Sequence, residues 1–147
     1  MLERLRTTDR LKLAGICVDD NCVLCSGKES HKYLFFECDY AQKCLKEMRS
    51  WLYLNHNHGW FSRMLKFLSK SRRTQFQRRV IAAVYSALAY YIWWAKNEVI
   101  WNYTVWRPEV LCKKIKSIVL LRVSLVIPKK ISVKDQEWFE VLKSENV

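Results

Sequence analysis

The run Arg78-Arg79-Val80-Ile81-Ala82-Ala83-Val84-Tyr85-Ser86-Ala87-Leu88-Ala89-Tyr90-Tyr91-Ile92-Trp93-Trp94-Ala95-Lys96 decides the fold class. The sixteen residues from Val80 to Ala95 carry no charge and are bracketed by two arginines and a lysine. A spanning helix needs about 20 apolar residues. This run is shorter, and it would place Tyr85, Ser86, Tyr90 and Tyr91 in hydrocarbon. It reads instead as the middle of a long helix, from near Thr74 to about Tyr103, surrounded by other helices. Membrane insertion is therefore not expected. Trp93, Trp94 and Trp101 are expected to pack in the core, and Lys96, Asn97 and Glu98 mark where the helix regains polar character.

Working outward, Pro108 suits the first turn of a following helix, where its missing N–H costs nothing. Leu111, Ile115, Ile118, Val119 and Arg122 continue it at helical spacing. Leu120 to Ile127 holds enough β-branched residues to permit a strand, but no partner run of similar character exists elsewhere. Pro128 ends that element in either case. A last short helix from about Val133 to Leu142 is led by Ser132. On the other side, Trp60, Phe61, Met64, Leu65, Phe67 and Leu68 form an amphipathic segment that runs into Lys70-Ser71-Arg72-Arg73. Tyr40, Cys44, Leu45, Met48 and Leu52 mark a helix from an Asp39 cap to about Leu54, and Asn55 to Gly59 reads as a turn. A short helix capped by Thr8 stops at Gly15. Three glycines and two prolines in 147 residues leave little turn chemistry for sheets or glycine-rich phosphate loops.

Half of the residues are apolar and 14% aromatic, and mean hydropathy is slightly negative, which fits a globule of one domain. The net charge of +12 is unevenly placed. Residues 1 to 49 hold nine basic and eight acidic side chains, whereas residues 50 to 147 hold seventeen and six. The second part thus makes a basic face, and the expected partner is RNA or DNA held through its phosphates. Arg63, Lys66, Lys70, Arg72, Arg73, Arg78 and Arg79 form one cluster, interleaved with Phe67 and Phe76. Lys113, Lys114 and Lys116 form a second, with Arg122, Lys129 and Lys130 beyond it. The alternative for each cluster is a solvated helix face.

Five of the six cysteines lie between Cys17 and Cys44, and Cys112 stands apart. The N-terminus shows no apolar signal segment, so a reducing, intracellular setting, nuclear or cytoplasmic, is expected, where clustered thiols bind metal or pack as small hydrophobes. Cys22-Val23-Leu24-Cys25 is a C-x2-C pair, and with His31 and Cys38 it gives C-x2-C-x5-H-x6-C. Two or three thiolates and an imidazole make a soft tetrahedral shell that suits zinc. Four protein ligands leave no place for an activated water, so the ion would be structural. Cys17, Cys44 and Cys112 read as packing residues. His56 and His58 read as a surface turn. The fold class is all-α, a small helical bundle with an N-terminal zinc-knuckle-like CCHC insertion. A single domain covers 1–147, with a knuckle region at 5–54, a helical basic region at 59–127 and a tail with a short helix at 128–147.

Thr8-Asp9-Arg10-Leu11, Gly15, Cys22-Val23-Leu24-Cys25, Leu34-Phe35-Phe36-Glu37-Cys38 and Trp93-Trp94-Ala95-Lys96-Asn97 occur in an order that resembles the zinc-binding domain found after the reverse transcriptase in plant non-LTR retrotransposons. The resemblance covers roughly residues 5 to 125. It implies a zinc-stabilised accessory module of a retroelement polymerase that helps to hold RNA or DNA. In that family a ligand histidine stands immediately before the Leu-Phe pair, where this chain has Tyr33. A phenol is a poor zinc ligand at neutral pH because its pKa is near 10. His31, two residues earlier, is the substitute expected here, although two residues of helix turn a side chain by about 200°. Lys96 stands where the family has arginine.

A polymerase needs metal-binding aspartates in a strand-turn context. Asp19-Asp20 has no such context, and no nucleophile–base pair or paired carboxylates are evident. No catalysis and no small-molecule substrate are expected. With Met1 falling where a polyprotein would be well under way, the chain resembles a detached retroelement tail. The alternative function is a degenerate or repurposed helical protein-interaction module without metal.

Overall fold

The computed structural model describes residues 7–16, 19, 21–30, 33–54, 66, 68–128 and 130–146. Among them there is no β-strand, only an isolated antiparallel bridge between Asn21 and Lys28. The all-α expectation is met. Helix α1 spans Thr8–Leu13, α2 Asp39–Trp51, α3 Gln75–Asn102, α4 Pro108–Val126 and α5 Val133–Ser144. A single wide turn of π-helix, Tyr33–Glu37, leads into α2.

Helix boundaries follow local chemistry. Thr74 caps α3 by accepting the Gln77 N–H at 3.1 Å, and Ser132 caps α5 by accepting the Asp135 N–H at 3.1 Å. Pro108 opens α4. Helix α3 ends as Tyr103 turns left-handed at φ +51°, and α1 is followed by Gly15 at φ +71°. Two caps fall one residue earlier than the sequence predicts. Thr7, not Thr8, precedes α1, and Cys38, not Asp39, precedes α2. Helix α2 also stops at Trp51, short of Leu54, because Tyr53 takes a left-handed conformation at φ +54°.

The core lies between α2, α3 and α4, with α3 packed chiefly on α4 and α2 on both. Helix α3, 28 residues long, extends about 42 Å at 1.5 Å per residue. Its buried stripe of Ile81, Val84, Leu88, Ile92 and Ala95 has three- and four-residue spacing. Among the described residues, no helix is long and apolar enough to cross a membrane. The strand alternative for Leu120 to Ile127 fails because Ile115, Val119, Leu120 and Val123 continue the buried face of α4.

Two expectations for α3 need correction. Trp101 is 68% exposed and does not pack in the core. It lies nine residues after Ile92, and nine steps of about 100° put it on the opposite side of the helix. Trp93 and Trp94 are half-buried against the core. Lys96, read as the start of a polar end, is fully buried.

Helix α5 packs against the rest of the bundle. Phe139 and Leu142 of α5 are buried, Phe139 meets Phe76 edge-on at 5.8 Å, and Trp51 Nε1 donates to Leu142 O at 3.1 Å. Buried Asp135 Oδ1 accepts from Thr74 Oγ1 at 2.7 Å and Gln77 Nε2 at 3.1 Å, while Oδ2 accepts from Ser132 Oγ at 2.9 Å. One carboxylate thereby joins the caps of α3 and α5.

Candidate metal centre

Residues 21–28 form a tight loop. Cys22 N–H donates to Gly27 O at 2.6 Å and Ser26 N–H to Cys22 O at 2.7 Å, with Ser26 left-handed at φ +65°. The Asn21–Lys28 bridge closes its base, and Asp19 accepts from Asn21 N and Nδ2 at 3.1 and 2.8 Å. Folding the chain back this sharply turns Cys22 and Cys25 toward one point. Cys38 arrives from the other side, where Cys38 N–H donates to Tyr33 O at 2.8 Å and ends the π-turn.

The Sγ atoms of Cys22, Cys25 and Cys38 lie within 4.8 Å of one another, and Cys22 to Cys38 is 3.9 Å. Sulfurs bound to one tetrahedral zinc at about 2.3 Å are about 3.8 Å apart. The cluster thus needs only slight contraction to grip the ion, and its soft donors match zinc.

The electrostatics point the same way. The hydrogen bond with Cys22 holds the Cys38 thiol below its ordinary range, helped by the Ala41 N–H in the first turn of α2. The same bond and burial push the Cys22 thiol well up. One shared bond thus favours ionisation of Cys38 and opposes that of Cys22. A divalent ion removes the conflict, since a coordinated thiol is deprotonated outright.

Three of the four expected ligands are therefore brought together, and the fourth, His31, lies outside the described residues. Cys17, His56 and His58 lie outside them too. Cys44 and Cys112 are buried away from the cluster, with Cys112 Sγ 3.8 Å from Cys44 O, so both belong to the core between α2 and α4.

Two features beside the sulfurs were not legible in the motif. Tyr33 places its hydroxyl 3.2 Å from Cys25 Sγ, a bond that pushes its phenol pKa upward. Glu29, four residues after Cys25, forms an ion pair with Lys96 of α3, both side chains fully removed from solvent. A lysine beside Asn97 and Glu98 carries no signal of burial in its composition. Its helical phase alone could have shown it, since Lys96 lies four residues after Ile92.

The basic side chains differ in how far they reach solvent. Lys66, Lys70, Arg72 and Arg79 are exposed, and Arg63 lies outside the described residues. Arg73 is half-buried and donates to Tyr53 O at 3.1 Å, and Arg78 is half-buried in a shallow groove with Leu68, Gln75 and Arg79. In the second cluster Lys113 is exposed. Lys114 lies over the rings of Trp94, Trp106 and Tyr91 at 4.2, 4.8 and 5.6 Å, and Lys116 pairs with Glu47 at 2.9 Å.

No curated protein and no solved structure matches the chain. The match to a known family ends at Cys44, short of the broader span of the sequence resemblance. Residues 1–44 match the family described as zinc-binding in reverse transcriptase, and that span contains Cys22, Cys25 and Cys38, whose sulfurs could hold a metal ion.

Proposed function

We propose that the chain is a non-catalytic accessory module that binds RNA or DNA, its N-terminal segment folded around one structural zinc ion. The observation that carries this reading is the three-sulfur cluster inside a segment of a kind found with reverse transcriptase, an enzyme that works on nucleic acid. When bound, the ion supplies a cross-link among the loop at Cys22–Cys25, the π-turn and the start of α2. Glu29 and Lys96 fasten that assembly to α3.

Exposed Lys66, Lys70, Arg72, Arg79 and Lys113 support contact with phosphates. Lys114 and Lys116 are engaged within the chain and contribute less. Contacts of this kind position a nucleic acid by its backbone and carry no base sequence. A specific observation favours a second reading: Leu121, Leu125 and Val126 of α4 are exposed, as they would be on a protein-docking face.

Titration of labelled single-stranded RNA and duplex DNA with the zinc-loaded chain over a salt series tests the choice. Phosphate binding makes log K fall linearly with log salt, by about 0.9 per neutralised phosphate on duplex and about 0.7 on single strands. Alanine at Lys70, Arg72 and Arg79 together should flatten that slope by about 2 to 3. Absence of binding, or affinity indifferent to salt, would reject the nucleic-acid role and leave the protein-interaction module.

A further inference from the structure

The π-turn that delivers Cys38 to the cluster also delivers Tyr33. The Tyr33 N–H donates to Ser30 Oγ at 3.1 Å and its carbonyl accepts from Cys38 N–H at 2.8 Å, so the backbone of this residue is held on both sides. Its side chain crosses the cysteine loop over Gly27, where any Cβ would overlap the phenol oxygen and the ring carbon that bears it. The missing side chain at Gly27 is what lets the phenol reach the sulfurs.

Zinc bonds of about 2.3 Å to sulfur and about 2.0–2.2 Å to oxygen set the edges of a tetrahedral S3O site. The sulfur–sulfur edges come to about 3.8 Å and the oxygen–sulfur edges to about 3.5 Å. Here Cys22 and Cys38 are 3.9 Å apart, all three sulfurs lie within 4.8 Å, and Tyr33 Oη is 3.2 Å from Cys25 Sγ. Tyr33 Oη thus stands beside the sulfur cluster, at a separation from Cys25 Sγ close to an oxygen–sulfur edge of such a site.

We infer that Tyr33 is the fourth ligand of this site, its hydroxyl oxygen completing the shell begun by Cys22, Cys25 and Cys38. This rests on the zinc reading above and specifies how the shell closes. The phenol proton leaves to solvent, as the cysteine protons do on metal binding. A free phenol binds zinc weakly at neutral pH, but zinc lowers the pKa of a bound water to about 7–9 and acts on a held phenol in the same sense. The closed shell admits no water and no exogenous ligand.

The test uses the full chain loaded with cobalt(II), whose visible bands report coordination, in wild type, Tyr33→Phe, Tyr33→His and His31→Ala. Wild type should show thiolate-to-cobalt charge transfer and tetrahedral bands that added imidazole leaves unchanged. Tyr33→Phe should bind at least about 10-fold more weakly and shift its bands when imidazole is added. Tyr33→His should close the shell again and lose the imidazole response. Should Tyr33→Phe fail to bind cobalt, rescue by Tyr33→His supports the ligand role and failure of rescue overturns it. An imidazole response equal in wild type and Tyr33→Phe, or one opened by His31→Ala instead, would remove Tyr33 from the shell while leaving the metal site standing. Absence of any thiolate-to-cobalt band in wild type would overturn both.

Discussion

Lys96 Nζ meets Glu29 Oε1 with both side chains entirely out of solvent, joining the central helix to the cysteine loop across 67 positions of sequence. A buried pair is costly to assemble, and replacing it by apolar groups is often neutral. Breaking it is another matter, because the remaining charge stays buried. Lys96→Met should destabilise the chain by about 3–5 kcal/mol, and Glu29→Gln in the same chain should recover part of the loss. Denaturant unfolding of the two single variants and the double variant checks this, and additive losses would contradict a direct coupling.

Gly27 faces the Tyr33 ring, and a methyl group there has nowhere to go. Gly27→Ala is expected to cost about 1–3 kcal/mol by overpacking. Tyr33→Ala in the same chain should relieve most of that cost, which thermal unfolding of the metal-free protein can read. A Gly27→Ala chain as stable as wild type would mean that the ring does not occupy this seat.

Asp135 joins Thr74, Gln77 and Ser132, so α5 should depend on it. Asp135→Ala leaves buried Gln77 and half-buried Thr74 without their acceptor and should destabilise by about 1–3 kcal/mol. The loss should be accompanied by faster amide exchange in α5 than in α3. Uniform protection in both helices would contradict the joint between their caps.

Metal affinity should fall steeply with acid, because each thiol must lose a proton before it binds. The cysteine thiols and the Tyr33 hydroxyl give up their protons as they bind, so zinc addition should release protons. Counting protons released on zinc addition in weak buffer tests this. Binding that is independent of pH would point to ligands other than thiols.

Much of the bundle was legible because its signals are local. Thr74, Ser132 and Pro108 mark helix starts by their own hydrogen-bonding or dihedral preferences, and the uncharged run from Val80 to Ala95 can be little other than a buried helix. The cysteine spacing likewise brought out the three cysteines whose sulfurs cluster. What escaped the sequence depends on helical phase and on partners that the fold brings together. Lys96 is buried because Glu29 is there to receive it, and Trp101 is exposed because the helical phase turns it away from α4. Tyr33 was set aside on the chemistry of a free phenol, whereas its importance comes from a turn and a glycine that hold it beside Cys25.

Elemental analysis of the purified chain, beside Cys22→Ser and Cys38→Ser, tests the metal centre most directly. The expected result is one zinc per wild-type chain, none in either variant, and a fall in melting temperature when a chelator strips the wild type. Wild-type protein free of zinc, with a melting temperature indifferent to added zinc and chelator, would contradict a structural metal site and leave three thiols packed as small hydrophobes.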